Sequence, residues 1–220
     1  MKKIIIFYAS YGGGHLSAAN SIKQYIEANY KDCEVHLIDC MKYINTGLEK
    51  VSTDSYKMIA KNLPYLWGGI YKLTDKGPMA EISSISNKIM SIKLLNLFKE
   101  IKPDIVISTH PFSTQMVAVL KQFKKTDCYL ASIMTDFAPH SQWLIGYQYI
   151  DSIFVSHEGM RREIIAKGIP ENKIYSTGIP LSIKFLQNYN REEIKEKLRI
   201  KYKEKNNSIF WGRRVWIRKR

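Results

Sequence analysis

From Lys3 to Ala9 the chain runs Ile-Ile-Ile-Phe-Tyr without a polar break, the pattern of a strand buried on both faces. Gly12, Gly13, Gly14 and His15 follow, and a helical pattern then extends to about Tyr30 with Ile22, Tyr25 and Ile26 on its apolar face. Cys33–Asp39 alternates as a second strand. Residues 42–102 read as a helical insert without a convincing strand, broken at Pro64, Gly68-Gly69 and Gly77-Pro78. Strand and helix alternation then resumes. Strands are predicted at Asp104–Ser108, Cys128–Thr135, Ser152–Ser156 and Lys173–Ser176, with helices at Ser113–Lys124, Glu158–Lys167 and about Arg191–Arg199. Gly168 stands where a helix is closed by a left-handed residue.

Strands separated by helices predict an α/β fold with a parallel, doubly wound sheet. Ligands of such sheets bind beyond the carboxyl ends of the strands. That rule singles out four loops, at 9–15, 109–113, 135–143 and 156–159. Four of the five histidines (His15, His110, His140 and His157) fall on them, and His36, inside a strand, does not.

Composition narrows the class. With 45% hydrophobic residues, 12 Gly and 7 Pro, the chain is neither disordered nor collagen-like. Three scattered cysteines without a Cys-x-x-Cys pair fit a reduced, cytosolic setting. The first apolar run is too short for a secretion signal, and no window of about 20 apolar residues is present to span a bilayer. The net charge of +14 is unevenly spread: residues 201–220 hold eight basic residues against one acid, Glu204, so half of the excess sits in the last 20 positions. A nucleic-acid partner is not expected from so lopsided a distribution.

The glycine loop before the first helix can expose amide N–H groups to an anion. It matches neither the dinucleotide fingerprint nor a P-loop, because the glycine spacing and the Gly-Lys-Ser/Thr ending are absent. His15 at its mouth is positioned for proton transfer, whereas the bland alternative is a tight strand-to-helix turn. Thr109-His110-Pro111, Thr135-Asp136-Phe137 with His140 and Trp143, and Ser156-His157-Glu158 close the following strands. The bland reading of His110 is a hydrogen-bonded structural residue and that of Ser156-His157-Glu158 a helix cap, and Asp136 either orients a histidine, accepts a hydroxyl proton or caps a turn. Zinc is a weak alternative, since no two histidines form a short ligand pair.

The order and spacing of these segments resemble the monogalactosyldiacylglycerol synthase and processive diacylglycerol glucosyltransferase family. The residues that carry the likeness are Gly12-Gly-Gly-His15 with Ser17-Ala-Ala, Lys102-Pro-Asp-Ile-Val-Ile-Ser-Thr-His110-Pro111, Thr135-Asp136-Phe137 with His140 and Trp143, and Gly178-Ile-Pro180. The resemblance implies a GT-B glycosyltransferase with two Rossmann-like domains, of which residues 1–200 correspond to the acceptor-binding N-terminal one. It implies a lipid acceptor, a UDP-sugar donor held by a missing or separate donor domain, and inverting transfer without a metal or other cofactor. On this basis Gly12, Gly13 and Gly14 face the diphosphate, and His15 or Asp136 is the base. Asp104, His110 and His140 have supporting roles, and Tyr56, Trp67, Tyr71 and Lys72 meet the acceptor or an anionic membrane surface. The setting implied is the inner face of the cell membrane, with the protein bound peripherally. Transfer of N-acetylglucosamine to a polyprenyl-linked acceptor and a non-catalytic basic module for lipid or nucleic acid stay open as alternatives.

The resemblance leaves residues 201–220 unmatched. Family members continue into a second domain whose first strand leads to a glycine-rich loop, whereas this chain ends with two of its four tryptophans, Trp211 and Trp216, in a basic tail. Tryptophan has the single codon TGG, and with permissive codons for 208–219 the shifted frame reads Val-Phe-Phe-Gly-Gly-Gly-Glu-Phe-Gly-Leu-Gly. The expectation is therefore an out-of-frame end, no stable fold for 208–220, and a donor half that is absent or supplied by another chain. Catalysis by the chain alone is then not expected.

Overall fold

The computed structural model describes residues 1–10, 13–44, 91–188, 190–197, 207–211 and 214–218. Gly12, Tyr56, Trp67, Tyr71 and Lys72 lie outside these described residues. The order of elements is β1 (Lys2–Tyr8), α1 (Gly14–Asn29), β2 (Cys33–Asp39) and α2 (Cys40–Ile44). A helix described over 91–101, α3, is followed by β3 (Ile105–Ser108), α4 (Pro111–Gln122) and β4 (Tyr129–Ile133). Then come β5 (Ser152–Val155), α5 (Glu158–Ala166), β6 (Ile174–Ser176), α6 (Arg191–Lys197), β7 (Asn207–Trp211) and β8 (Arg214–Arg218).

Strands β1 to β6 form one parallel sheet in the order β2-β1-β3-β4-β5-β6. The α/β class and parallel sheet read from the sequence are what the structure contains. Strand β1 lies between β2 and β3, with Ile4 opposite Val35 on one side and Ile105 on the other. Its uninterrupted apolar run follows from that position: Ile5 and Phe7 belong to the larger core, and Ile4 and Ile6 to a smaller one beneath α1. Strand β2 is at the edge, and all but its last residue are only half-buried, which accounts for its polar alternation.

Helix α1 covers one face through Ala19 and Ile26. Helices α3, α4 and α5 contribute Leu94, Met116 and Ile164 to the core on the other. The face therefore switches between β1 and β3, and the loops that leave these two strands border one crevice.

Some boundaries differ from expectation for identifiable reasons. Helix α4 starts at Pro111, whose fixed φ and missing N–H suit a first helical turn. The segment 135–143, expected as irregular, contains a 3₁₀ turn at Ser141–Trp143 that carries Trp143 into the core with no exposed surface. Gly168 closes α5 with φ +89°, as its position in the sequence requires. In the tail, β7 and β8 pair antiparallel as a two-stranded sheet of their own, with Ile209 opposite Trp216. Its β-branched and aromatic residues favour extended chain, although a two-stranded ribbon by itself is marginal in water.

Candidate active site

His15 sits in the first turn of α1, over the carboxyl ends of β3 and β4. Its Nδ1 lies 2.6 Å from the Thr109 carbonyl oxygen and 2.9 Å from Thr135 Oγ1. A carbonyl can only accept, so Nδ1 carries the proton, and in the neutral ring Nε2 holds a free lone pair. Burial pushes the imidazole below its ordinary range, against the opposing pull of the Thr109 bond and the negative charge of Asp136. The ring is thus a neutral, oriented base near pH 7. Thr109 is held in turn, its N–H donating to Phe7 O at 2.9 Å and its hydroxyl lying 3.0 Å from His15 O.

The other histidines on these loops do different work. His110 precedes α4, His140 the 3₁₀ turn and His157 α5. In each the Nδ1 accepts a backbone N–H: from Phe112 at 3.2 Å, Gln142 at 3.3 Å and Met160 at 3.1 Å. This is the task usually given to Asn, Asp or Ser at a helix N-cap. An accepting Nδ1 must be unprotonated, so the tautomer is the opposite of that in His15. His110 packs edge-on against His15, with ring centroids 4.6 Å apart, and burial lowers its pKa well below the ordinary value, helped by repulsion from His15.

Asp136 is half-buried, and its Oδ2 accepts the Trp143 indole N–H at 2.6 Å. The structure therefore brings His15, Asp136, His110 and Trp143 together. Asp104 is elsewhere: at the amino end of β3, it accepts from Lys3 N at 2.8 Å and Lys2 Nζ at 3.0 Å, which holds its carboxyl below the usual range. It clamps β1 to β3 at the end of the sheet opposite the site.

Gly13 is the N-cap of α1, without a side-chain cap, and the first turn carries no acid. Neither Gly13 nor Gly14 has a positive φ, and a Cβ at either would meet nothing within 4 Å. Among the described residues nothing in the packing demands glycine here, and amides at a helix N-terminus suit an anion.

Thr109 and Thr135, which fix the tautomer of His15, stand in the quoted segments but cannot be assigned that role from sequence. Ser10 and Asp39 form a second such pair. Ser10 Oγ donates to Asp39, which also caps α2 through Met41 N at 3.1 Å and so ties the loop after β1 to the end of β2. Of the cysteines, Cys40 is fully buried and its thiol is pushed up to about 12, which leaves it inert. No described helix is long and apolar enough to cross a membrane.

A parallel sheet with a histidine-bearing crevice at its switch point defines the class, an α/β protein with a Rossmann-like site. The family model for monogalactosyldiacylglycerol (MGDG) synthase matches residues 15–181, and the chain belongs to that family. Among relatives, the uncharacterized glycosyltransferase YkoN of Bacillus subtilis (strain 168) is 28% identical over 84% of this chain and 49% of its own length. The processive diacylglycerol beta-glucosyltransferase of Bacillus cereus (strain 03BB102) is 26% identical over 90% of this chain and 50% of its own. The enzyme of the same name from Staphylococcus carnosus (strain TM300) is 28% identical over 84% and 46%. The chain thus spans about half the length of the curated relatives it matches. Among solved structures, the lipopolysaccharide outer core galactosyltransferase WaaB in its apo form has a TM-score of 0.47 at 18% identity, covering 87% of this chain and 50% of its own. MurG of Acinetobacter baumannii scores 0.49 at 10% identity, covering 88% and 47%.

Proposed function

We propose that this chain is the acceptor-binding part of a glycolipid glycosyltransferase that moves a hexosyl group from a UDP-sugar to a diacylglycerol-type lipid. The observation that carries the reading is the His15 arrangement: a neutral imidazole with Nδ1–H fixed and Nε2 without a hydrogen-bond partner among the described residues, beside a helix N-terminus with no side-chain cap. In the proposed step, His15 Nε2 takes the proton of the acceptor hydroxyl as its oxygen attacks the anomeric carbon. The bond from that carbon to the diphosphate breaks, and the electron pair leaves on UDP. Amides of the glycine loop and the positive end of α1 meet the charge that develops on the diphosphate. The step is proposed as metal-independent. Asp136 is the second candidate for the base. In the His15 reading, it favours the imidazolium formed in the transition state, and Trp143 orients it. A donor half, on the same chain or another, is required to close around the sugar nucleotide. The enzyme is proposed to act peripherally at the inner face of the cell membrane, with the basic surface and residues Tyr56, Trp67, Tyr71 and Lys72 contributing to lipid contact.

The test pairs the chain with a donor half and measures transfer from UDP-glucose and UDP-galactose to diacylglycerol. His15→Ala is expected to lower kcat by about 10²–10⁴-fold. Full activity of that variant removes His15 as the base. Transfer confined to N-acetylglucosamine and a polyprenyl-linked acceptor replaces the diacylglycerol reading.

A further inference from the structure

We propose that His157, helped by Lys167 and Ser156, is a positioning residue that sets the turn at 135–139 against His15 by holding the carbonyls of that turn. Its bearing on transfer rests on the His15 reading above.

The turn needs an outside hold. Residues 136–138 are bends, and among the described residues 135–139 make no backbone–backbone hydrogen bond. Carbonyls outside a ladder or a helix require donors from elsewhere. Three of them meet side chains of one neighbouring unit, the end of β5 and α5. His157 Nε2 lies 3.1 Å from Phe137 O, Lys167 Nζ 3.1 Å from Pro139 O and Ser156 Oγ 3.4 Å from Asp136 O. The same turn bears on the proposed base in two ways. Thr135 Oγ1 is 2.9 Å from His15 Nδ1, and the charge of Asp136 opposes the effect of burial on that ring.

His157 does more than a cap demands. Its Nδ1 accepts the Met160 N–H at 3.1 Å, which is the whole task of an N-cap. A carbonyl only accepts, so Nε2 donates to Phe137 O, and one neutral tautomer meets both demands. The ring thereby joins the first turn of α5 to a loop 20 residues earlier in the chain. The ring is exposed, so its hold depends on being fixed from several sides. Phe137 stacks on it, with centroids 6.5 Å apart and planes 20° from parallel. Gly159 supplies the room, since a Cβ there would stand 3.1 Å from His157 Nδ1, closer than ordinary contact. Glycine is a weak residue inside a helix, and here it leaves space for the imidazole.

Substitution separates the two nitrogens. The short amide of His157→Asn keeps an acceptor where Nδ1 stands and falls short of Phe137 O. The longer amide of His157→Gln brings an N–H donor toward the Nε2 position and gives up the cap.

The experiment follows the His15 imidazole C–H resonances by NMR in the histidine-labelled 220-residue chain as pH is varied, with His15→Ala used to assign them. Urea unfolding is recorded on the same samples. In His157→Asn the His15 titration is expected to move to lower pH, because Asp136 is no longer held beside the ring, while the urea midpoint is kept. In His157→Gln the midpoint is expected to fall and the His15 titration to stay in place. Lys167→Met gives up the Pro139 bond without touching the cap. It should move the titration in the same direction, and it serves where His157→Asn does not fold. With a donor half added, His157→Asn should lower kcat about 10–10²-fold with little change in KM. An unmoved His15 titration in His157→Asn and Lys167→Met overturns the positioning role and leaves the transfer reading standing. Titration and midpoint that shift together in every variant reduce His157 to a cap and overturn it as well. A titration that moves as expected, with no transfer from either UDP-sugar in the unaltered pairing, supports the hold on the turn and overturns the transfer reading.

Discussion

At the scale of the residue, the site turns on which nitrogen of each imidazole carries a proton. His15 meets a carbonyl at Nδ1, and His110, His140 and His157 meet amides, so in one ring the lone pair lies on Nε2, where the proposed base needs it, while three have Nδ1 occupied in caps. The acid limb of kcat/KM is expected below the ordinary histidine value of about 6.5, because burial depresses His15. Asp136→Asn removes the negative charge that opposes this depression, so the limb should move to still lower pH in a rate profile. A loss of about 10²-fold or more with no shift of the limb would instead assign the base to Asp136.

His110 makes a separate prediction about stability. Its folded pKa lies well below the unfolded value, so its contribution is complete above about pH 6.5 and is lost as the pH falls. There the unfolded chain takes up a proton that the folded chain refuses. Denaturant titrations should show stability falling by up to about 1.4 kcal/mol per pH unit below 6.5 from this group. His110→Asn keeps an N-cap acceptor and should flatten that slope.

At the scale of the element, the six strands were legible because a doubly buried strand requires an apolar run with no polar break. The carboxyl-end loops followed from the same alternation. The division of labour among the histidines was not legible. His110, His140 and His157 each stand just before a helix and His15 inside one, but whether a ring nitrogen faces an amide or a carbonyl depends on residues more than 90 positions away for His15. A cap was among the readings of the His157 segment, and the same role for His110 and His140 could have been read from their place before a helix, had histidine been weighed there beside Asn and Ser. Asp104, a motif residue given only a supporting role by resemblance, is used by the fold as a clamp at the far end of the sheet, a place that the motif by itself does not reveal. Leu130, fully buried at the centre of β4, tests how far the elements depend on a common core. Leu130→Ala should cost about 2–5 kcal/mol in urea unfolding, the range for a core leucine whose surroundings relax only in part.

At the scale of the whole molecule, the +14 charge makes the proposed contact with an anionic lipid surface testable. Co-sedimentation with anionic vesicles should fall steeply as salt is raised from about 0.05 to 0.5 M, since surface charges are screened within a few ångströms at the upper end. The basic tail supplies half of the charge. Binding that survives removal of 201–220 supports an acceptor site in the sheet domain, whereas complete loss favours a basic module acting through its tail.

The central place of β1 also has a consequence for synthesis. Its two neighbours emerge at very different times, β2 within some thirty residues and β3 roughly a hundred residues after β1 itself. At translation rates of about 5–20 residues per second, one edge of the most apolar strand in the sheet waits roughly 5–20 s on the ribosome with no partner. Such an edge invites pairing with other nascent chains. Slower elongation between residues 40 and 105 would therefore lower yield by aggregation during translation, even where the finished protein was no less stable.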